Sequence, residues 1–466
     1  MSSERFGFSR FRSLVRSPGA AEMRALSGLA FPLILTGFAQ LAISTTDLVL
    51  IGGLGWRALA AATLAIALYQ LVLLFGIGLL SAVMPMLAQE LGRNPHAVRE
   101  VRRTVRQGLW SAVALAVAGG LVLGQCRPIF ELLGQDRALM PDAEALMRSL
   151  HWSLLPALGY TVLRGFLTAL DRPMGTLVVA LAAILFNAAA GYGLIYGAFG
   201  LPALGLFGAG VATSLSNLFL FAGLALLVTR ARPFRRYRLF GRFWVADWAR
   251  LHAFWRLGVP IAVTTILEVS VFYAAGTMMG WIGAETLAAH SIVMQIVTVS
   301  YAVPMGLAQA TTVRVARAVG GGDRAQVRRI AVSAALLGAG GMVLAALVML
   351  AAPQFLVGLF LDLSRPVNAP ILAAATALLA VAAVFQVVDA VQAIGSGVLR
   401  GLHDTLVPML FALLGFWCVG LPFGGWLAFR AGLAGVGVWL GLAGALAAVA
   451  LLMTGRWLAL TRPEAR

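Results

Sequence analysis

Charged residues are scarce in this chain, and lysine is absent. Only 11% of the 466 residues are charged, and all 35 basic residues are arginine. A water-soluble chain of this length needs far more charge to cover its surface, so a soluble globular protein is excluded. The two cysteines, Cys126 and Cys418, are too few for a disulfide framework or a thiolate metal site. No phosphate-binding glycine loop of the Walker type is found, so nothing supports drive by ATP.

Apolar residues make up 61% of the chain. They occur in runs of about 20 residues or more, the length with which a helix crosses the bilayer core. Backbone groups in lipid must be paired within the segment, so these runs predict an all-α transmembrane fold. A membrane β-barrel would need short alternating strands, which the pattern does not show. Twelve helices are predicted, at 25–51, 58–88, 107–126, 146–170, 174–197, 203–229, 256–282, 286–313, 330–351, 368–399, 406–428 and 433–459.

The arginines are concentrated on one predicted side of the membrane. An even number of spans places both termini on one side, and a cytoplasmic assignment leaves 28 arginines in inside segments and six in outside loops. This bias follows the positive-inside rule. We therefore predict a multi-pass protein of a bacterial inner (plasma) membrane with both termini cytoplasmic. We also expect it to be a monomer. The net charge of +17 is explained in this way and gives no reason to expect a nucleic-acid partner.

The segment 230–256, near the middle of the chain, is the most basic predicted loop. It carries eight arginines against one acid, Asp247. Two interpretations remain open: a lipid-headgroup or regulatory patch, or a cytoplasmic linker that sets the topology. The domain boundaries are placed around this loop. We predict a cytoplasmic tail, a six-helix lobe, a basic linker, a second six-helix lobe and a second tail, at 1–24, 25–229, 230–256, 257–460 and 461–466.

The two predicted lobes are copies of one another. A shift of 228 positions superposes Pro32 on Pro260 and Gly55 on Gly283 within a long ungapped stretch. Chance matching of glycine and alanine is the alternative, and the paired prolines argue against it. Six spans in each copy give both lobes the same orientation, as in transporters whose lobes move about a central cavity. Each proline lies inside the first helix of its lobe and kinks it. The kink is either a static feature or a bending point.

Three acidic residues are predicted to lie inside spans: Asp47 in the first, Glu268 in the seventh and Asp389 in the tenth. An ionisable group at this depth costs ~2.5 kcal/mol or more, so such residues face an interior cavity and are functional candidates. The alternative role, a polar contact that fixes helix packing, is better served by Ser, Thr or Asn. The repeat pairs Glu268 with Gln40 and Asp47 with Ala275, so the two lobes have diverged in their acids.

Polar residues at helical spacing accompany these acids. Positions i, i+4 and i+7 share one helix face, so such stripes predict surfaces that line a water-accessible cavity. Three spans carry a stripe, and the seventh carries two threonines one turn before its acid. The residues are Gln40, Ser44 and Asp47; Ser291, Gln295 and Thr298; Asp389, Gln392 and Ser396; and Thr264 with Thr265. The five histidines show no metal-binding spacing, and His290 is predicted to be packed or bonded to water.

Intramembrane acids of this kind can couple transport to an ion in two ways. A carboxyl group can exchange a proton with water. Alternatively, two carboxylates such as Glu268 and Asp389 can share a sodium ion, a hard cation that prefers oxygen ligands. In either case the ion competes with a positively charged substrate, and that competition is reciprocal. The sequence leaves the choice between the two ions open.

Four groups of residues, in order along the chain, carry a family resemblance. They are Pro32 with Thr45-Thr46-Asp47-Leu48 and Leu59-Ala60-Ala61; Phe186-Asn187 with Tyr196-Gly197 and Gly208-Ala209-Gly210-Val211-Ala212-Thr213; Leu257-Gly258-Val259-Pro260 with Glu268; and Asp389-Ala390-Val391-Gln392 with Gly397-Val398-Leu399-Arg400-Gly401. Each group alone is weak in a chain rich in glycine and alanine, but together they are specific. The chain resembles the multidrug and toxic compound extrusion (MATE) transporters of the NorM-type subgroup over almost its whole length.

This resemblance implies a V-shaped pair of pseudo-symmetric six-helix lobes and particular site residues. Asp47 and Asn187 correspond to the polar site of the N-terminal lobe. Glu268 and Asp389 correspond to the cation site of the C-terminal lobe, which NorM-type members use for sodium. One departure is Phe385, where some members have a tyrosine one turn before the tenth-span acid. Its missing hydroxyl removes a potential sodium ligand.

The implied activity is export of amphiphilic, often cationic drugs and dyes in exchange for sodium ions or protons, with no cofactor. The chief alternative is a flippase of the same superfamily that moves a lipid-linked oligosaccharide. Such proteins line their cavity with cations for the pyrophosphate, whereas the buried charges here are acidic. We do not expect an enzyme, because no nucleophile, metal ligands or paired acid and base converge in the sequence.

Overall fold

The computed structural model describes residues 18–241 and 243–462. Within these ranges the chain consists of helices joined by turns and short loops, and no strand occurs there. The predicted tails at 1–24 and 461–466 fall largely outside the described residues. The described part of the first tail, 18–24, is already helical and forms the beginning of the first span.

Twelve helical elements correspond in order to the twelve predicted spans. They are α1 (Pro18–Gly52), α2 (Trp56–Leu80 and Val83–Arg93), α3 (Val98–Gly124), α4 (Met140–Leu150 and Leu154–Ala169), α5 (Met174–Tyr196), α6 (Gly205–Arg230), α7 (Trp248–Ile282), α8 (Ala284–Gly320), α9 (Arg324–Ala351), α10 (Ala369–Gly401), α11 (Leu406–Ala412, the π-helical Leu413–Gly420 and Leu421–Phe429) and α12 (Ala434–Leu460). Short helices at Cys126–Leu132, Arg232–Arg235 and Pro353–Gly358, with 3₁₀ turns at His151–Ser153 and Pro366–Asn368, complete the described secondary structure.

Eleven of these elements are long and apolar enough to cross a membrane within the described part of the chain. The remaining one, α4, is divided by the 3₁₀ turn His151–Ser153 into parts of 11 and 16 residues. Several helices extend beyond their predicted ends. For example, α7 begins at Trp248 and α8 ends at Gly320, because arginine-bearing turns continue each helix past its apolar part.

The described helices belong to two compact units. One, here called the N-terminal unit, spans Leu35–Ile266. The other, the C-terminal unit, joins the chain up to Ile34 with the chain from Leu267 onward. As a consequence, α1 and α7 each contribute residues to both units. The beginning of α1 packs with the second half of the sequence, and the beginning of α7 packs with the first half.

An ion pair fastens each of these exchanged helix beginnings to its unit. In the C-terminal unit, Glu22 of α1 accepts a 2.5 Å hydrogen bond from Arg314 of α8. In the N-terminal unit, Arg250 of α7 lies 3.1 Å from Glu90 of α2. Both pairs are mostly shielded from solvent, where charge-assisted hydrogen bonds are stronger than at an open surface.

Both kinking prolines lie just before the point where their helix changes unit. Pro32 is inside α1, which leaves the C-terminal unit after Ile34. Pro260 is inside α7, which leaves the N-terminal unit after Ile266. The Thr264 hydroxyl donates a 2.8 Å hydrogen bond to the Pro260 carbonyl. Proline removes one ladder hydrogen bond, so each helix has a weakened turn close to the unit boundary.

Glycine allows close helix packing at two places in the C-terminal unit. A Cβ atom added to Gly441 of α12 would lie 2.2 Å from the Cα of Gly424 in α11. A Cβ atom on Gly397 of α10 would lie 2.6 Å from the Ala308 carbonyl oxygen of α8. Small residues at such crossings let membrane helices approach until their backbones touch. The helix pairs α11–α12 and α8–α10 are therefore in close backbone contact at these glycines.

Candidate cation and substrate site

The C-terminal unit contains a cavity of about 790 Å³ between α7, α8, α10, α11 and α12. Seven predicted site residues line it: Glu268, Ser291, Gln295, Thr298, Phe385, Asp389 and Gln392. The lining is otherwise mainly apolar and aromatic. The polar stripes predicted separately on α8 and α10 therefore meet across one chamber.

The two acids of the cavity come from different helices and have different surroundings. Asp389 of α10 is only 8% exposed, and no hydrogen-bond donor to its carboxylate is found among the described residues. Glu268 of α7 accepts a 2.8 Å hydrogen bond from the Gln392 amide. Arg400, at the end of α10, also acts electrostatically on Glu268. Neither acid takes part in an ion pair within the described ranges.

An aromatic wall stands beside these acids. The ring of Phe385 contacts Phe272 edge to face at 6.1 Å and Trp439 at 5.5 Å between centroids. Trp439 in turn donates a 3.2 Å hydrogen bond from its indole N–H to Nδ1 of His290. His290 is thus a packed side chain, consistent with its prediction. The wall gives the cavity a rigid apolar surface within reach of two carboxylates.

Sequence reasoning missed Tyr301, which lines the cavity with both acids. It lies three residues after Thr298 and continues the polar stripe of α8 by one turn, so the stripe itself contained the signal. The hydroxyls of Ser291 and Thr298 donate to carbonyls of their own helix, at 2.9 and 2.7 Å. Their donors are therefore already used, whereas their oxygens can still accept from a ligand.

Three of the site residues predicted on α7 and α10 are absent from the cavity lining. Thr264 and Thr265 of α7 precede the unit boundary, and their hydroxyls donate to the carbonyls of Pro260 and Ile261 at 2.8 and 3.0 Å. Ser396 of α10 is buried. Helical spacing correctly identifies a shared face, but it does not show how far a cavity extends along that face.

A second polar cluster surrounds Asp47 in the N-terminal unit. Its carboxylate accepts hydrogen bonds from the Asn187 amide at 2.8 Å and from the Thr213 hydroxyl at 3.0 Å. The same amide nitrogen lies 3.3 Å from the Ser216 hydroxyl. Asn187 is fully buried, and its side-chain oxygen has no partner among the residues described. Asp47 is therefore held by neutral donors and has no counter-cation in the described structure.

Two other members of the first stripe do not join this cluster. The side-chain amide oxygen of Gln40, Oε1, accepts a 3.2 Å hydrogen bond from the Arg164 guanidinium of α4. The Ser44 hydroxyl is exposed and donates to the Gln40 backbone oxygen at 3.2 Å. Arg164 is thus a further charged group in a helix of this unit.

A repeated set of helices and two acid-bearing sites at span depth define a membrane transporter of the secondary type. The profile of the MatE family matches residues 32–192 and 260–426. These two matches begin at Pro32 and Pro260, the residues that the internal repeat superposes. The chain belongs to this family, the multidrug and toxic compound extrusion transporters, and to its NorM-type subgroup.

Curated relatives match along almost the whole chain. The chain is 50% identical over 436 residues to the probable multidrug resistance protein NorM of Brucella suis, covering 94% of this chain and 93% of the relative. It is 47% identical over 437 residues to the protein of that name from Mesorhizobium japonicum, covering 94% of each. These similarities extend through both units and both acidic sites.

Solved MATE structures share the fold at low sequence identity. A multidrug resistance MATE family transporter of the MOP superfamily, solved in an outward-facing conformation, matches with a TM-score of 0.84 at 18% identity, covering 95% of this chain and 97% of that one. A eukaryotic MATE transporter matches with a TM-score of 0.83 at 20% identity, covering 95% and 98%. The predicted all-α, twelve-helix transmembrane fold of the MATE type is confirmed.

Proposed function

We propose that this protein is a multidrug efflux antiporter, which exports amphiphilic, cationic organic compounds in exchange for sodium ions or protons. The observation that carries the proposal is the cavity of the C-terminal unit, which Glu268 and Asp389 line together and where neither forms an ion pair with a described residue. Acids at span depth persist only when a proton or another positive charge visits them. The names of the relatives, multidrug resistance proteins, support the same conclusion.

The lining of the cavity indicates the substrate class. Phe272, Phe385 and Phe416 supply apolar and aromatic surface, and the two acids supply the charge. A flat organic cation satisfies both, because aromatic faces and carboxylates each attract positive charge. A flippase for lipid-linked oligosaccharides would need cations that hold a pyrophosphate, and the charged residues lining this described cavity are Glu268 and Asp389.

The coupling ion competes with the substrate for the same acids. A proton would bind one carboxylate, and a sodium ion would take oxygens from Asp389, Glu268 and the Tyr301 hydroxyl that faces the cavity with them. Because binding linkage is reciprocal, an ion that weakens substrate binding is itself released when substrate enters. Phe385 offers no oxygen one turn before Asp389, so a phenol oxygen for the site would have to come from another lining residue such as Tyr301.

The Asp47 cluster is proposed as a second exchange site of the N-terminal unit, and Pro32 and Pro260 as bending points. The first proposal rests on the neutral donors that keep Asp47 accessible to a proton or a cation. The second rests on the position of both prolines just before the residues at which α1 and α7 change unit. A weakened helical turn there absorbs backbone rotation at low cost.

The arginine distribution supports a bacterial inner-membrane location with both termini cytoplasmic. The predicted lobes at 25–229 and 257–460, with the linker 230–256, remain our proposal for how the sequence is organised. In the same proposal the working form is a monomer, because both acidic sites are assembled from the residues of one chain.

The test uses purified protein in lipid vesicles with a fluorescent organic cation such as ethidium. An imposed sodium or proton gradient should drive dye transport by the wild-type protein. Asp389→Asn and Glu268→Gln keep the size of each side chain and remove its charge. Each should reduce gradient-driven transport by roughly ten- to a hundredfold, the range of a typical coupling free energy.

The matched control is Asp362→Asn, which neutralises an exposed loop carboxylate outside the cavity. It should transport as the wild type does. Transport at wild-type rates by both cavity variants would refute the role assigned to the two acids. Separate sodium and proton gradients, each with an ionophore that collapses the other, identify the coupling ion.

A further inference from the structure

The loop between α6 and α7 is folded against the N-terminal unit. Its short helix, Arg232–Arg235, carries Phe234 inward, and Tyr237 follows on the same side. Both rings pack edge to face on Phe166 of α4, with centroids at 6.1 and 5.4 Å. Phe234, Tyr237 and Leu239 of this basic segment are therefore buried, and the arginines beside them are left outside.

Hydrogen bonds from α3 fix the backbone of the loop at two points. The Arg102 guanidinium donates to the Tyr237 carbonyl oxygen at 2.6 Å, and the Trp110 indole donates to the Phe243 carbonyl oxygen at 2.9 Å. A loop that served only as a covalent connection would need no such anchoring. Fixed backbone holds the outward side chains in one arrangement, as ligand recognition requires.

Five arginines lie on this anchored segment, here called the arginine face, and one of them, Arg236, stacks over the Tyr237 ring and donates a 3.0 Å hydrogen bond to its hydroxyl. They are Arg230, Arg232, Arg235, Arg236 and Arg238, and all are exposed. The one acid of the loop, Asp247, does not neutralise them, because it pairs with Arg103 of α3 at 2.7 Å. Burial alone would raise the pKa of Asp247, but the Arg103 hydrogen bond and the Arg250 backbone N–H lower it.

The surroundings of the arginine face are those of a membrane surface. The segment follows one candidate span, α6, and precedes another, α7, so it emerges where the helices leave the bilayer. Trp244 and Trp248 are 78% and 70% exposed, and Phe240 is also exposed. Exposed tryptophans at helix ends are typical of the lipid–water boundary.

We propose that the arginine face binds the phosphate groups of anionic phospholipids. Guanidinium groups bind phosphate oxygens through paired hydrogen bonds, and the uncompensated positive charge attracts an anionic leaflet. A role in setting topology during insertion is compatible with this binding in the mature protein. The inference concerns a surface outside both acidic sites and does not depend on the transported ion.

The experiment measures lipid retention by the full chain purified in a neutral detergent. Native mass spectrometry compares bound phosphatidylglycerol with phosphatidylcholine, and thermal unfolding follows the stabilisation that each lipid gives. Wild-type protein should prefer phosphatidylglycerol. The triple variant Arg232→Gln/Arg235→Gln/Arg238→Gln should lose roughly tenfold or more of that preference, and the matching triple Lys variant should keep most of it.

The control triple is Arg57→Gln/Arg127→Gln/Arg137→Gln, which removes three exposed arginines of the same unit. They lie at the start of α2 or between α3 and α4, at the membrane face opposite to the loop between α6 and α7. Equal loss of preference in both Gln triples would overturn the proposal, as would equal stabilisation by inorganic phosphate alone. If the first Gln triple does not fold, wild-type protein provides the test: its phosphatidylglycerol preference must fall in about 0.5 M NaCl, which screens exposed charge.

Discussion

Loss of the Arg250 side chain should lower the stability of the N-terminal unit, because this side chain makes several contacts there. Its guanidinium donates to the Glu100 carbonyl oxygen at 2.6 Å, to the Thr104 hydroxyl at 2.7 Å and to the Glu90 carboxylate at 3.1 Å. The side chain is 16% exposed. It therefore joins three helices, α7, α2 and α3, in a partly dry environment.

Arg250→Ala leaves the Glu90 carboxylate without its counter-charge and removes two further hydrogen bonds, to the Glu100 carbonyl oxygen and the Thr104 hydroxyl. Removing one member of a fully buried pair costs ~3–5 kcal/mol. Because Glu90 and Arg250 are partly exposed, we expect about 2–4 kcal/mol here. Arg250→Lys keeps the charge but loses the planar fork that reaches several acceptors at once, so it should restore only part of the loss.

The measurement is thermal unfolding of purified protein in detergent, followed by tryptophan fluorescence. The control is Arg256→Ala, an exposed arginine on the same helix, which should leave the unfolding temperature nearly unchanged. A double-mutant cycle with Glu90→Gln should show a coupling of roughly 0.5–3 kcal/mol. The reasoning fails if Arg250→Ala and Arg256→Ala unfold at the same temperature, or if the cycle shows no coupling.

Three further variants test other parts of the structure. Asn187→Leu removes a donor from Asp47 and should destabilise the purified protein by about 1–3 kcal/mol in thermal unfolding; an unchanged unfolding temperature would contradict this. Pro260→Ala restores a ladder hydrogen bond and should slow vesicle dye exchange while leaving dye binding unchanged, so an unaltered rate would argue against bending there. Asp247→Asn should lower the unfolding temperature at pH 7. The folded protein holds the pKa of Asp247 below its ordinary value of 3.8, so the contact with Arg103 stabilises the protein when the pH is above 3.8. The gap to wild type should close as the pH falls below that value, and a constant gap would refute the assignment.

The number and order of helices follow from the sequence because the length of each apolar run is set by the bilayer. The acid-lined cavity also follows in part. The stripes ending at Thr298 on α8 and beginning at Asp389 on α10 indicate the faces that meet there. Spacing alone does not identify the hydrogen-bond partner of each acid. Gln392 of α10 donates to Glu268 of α7, and only the packed structure shows this contact.

The division into units differs from the linear lobes expected at 25–229 and 257–460. The local sequence pattern shows that α1 and α7 are helices. The unit in which the beginning of each helix packs depends on how its surface fits against residues that are distant in the sequence. Arg164 illustrates the same limit. Its hydrogen bond to Gln40 joins residues 124 positions apart, a pairing that no local pattern indicates.

The two ion pairs that fasten the exchanged helix beginnings have opposite polarity. The internal repeat places Glu22 where the other copy has Arg250, and their partners, Arg314 and Glu90, lie on the equivalent helices α8 and α2. If each helix beginning docked on its own half instead, carboxylate would face carboxylate and guanidinium would face guanidinium. In the folded protein the charges therefore favour the docking of each helix beginning on the other half of the sequence over docking on its own half.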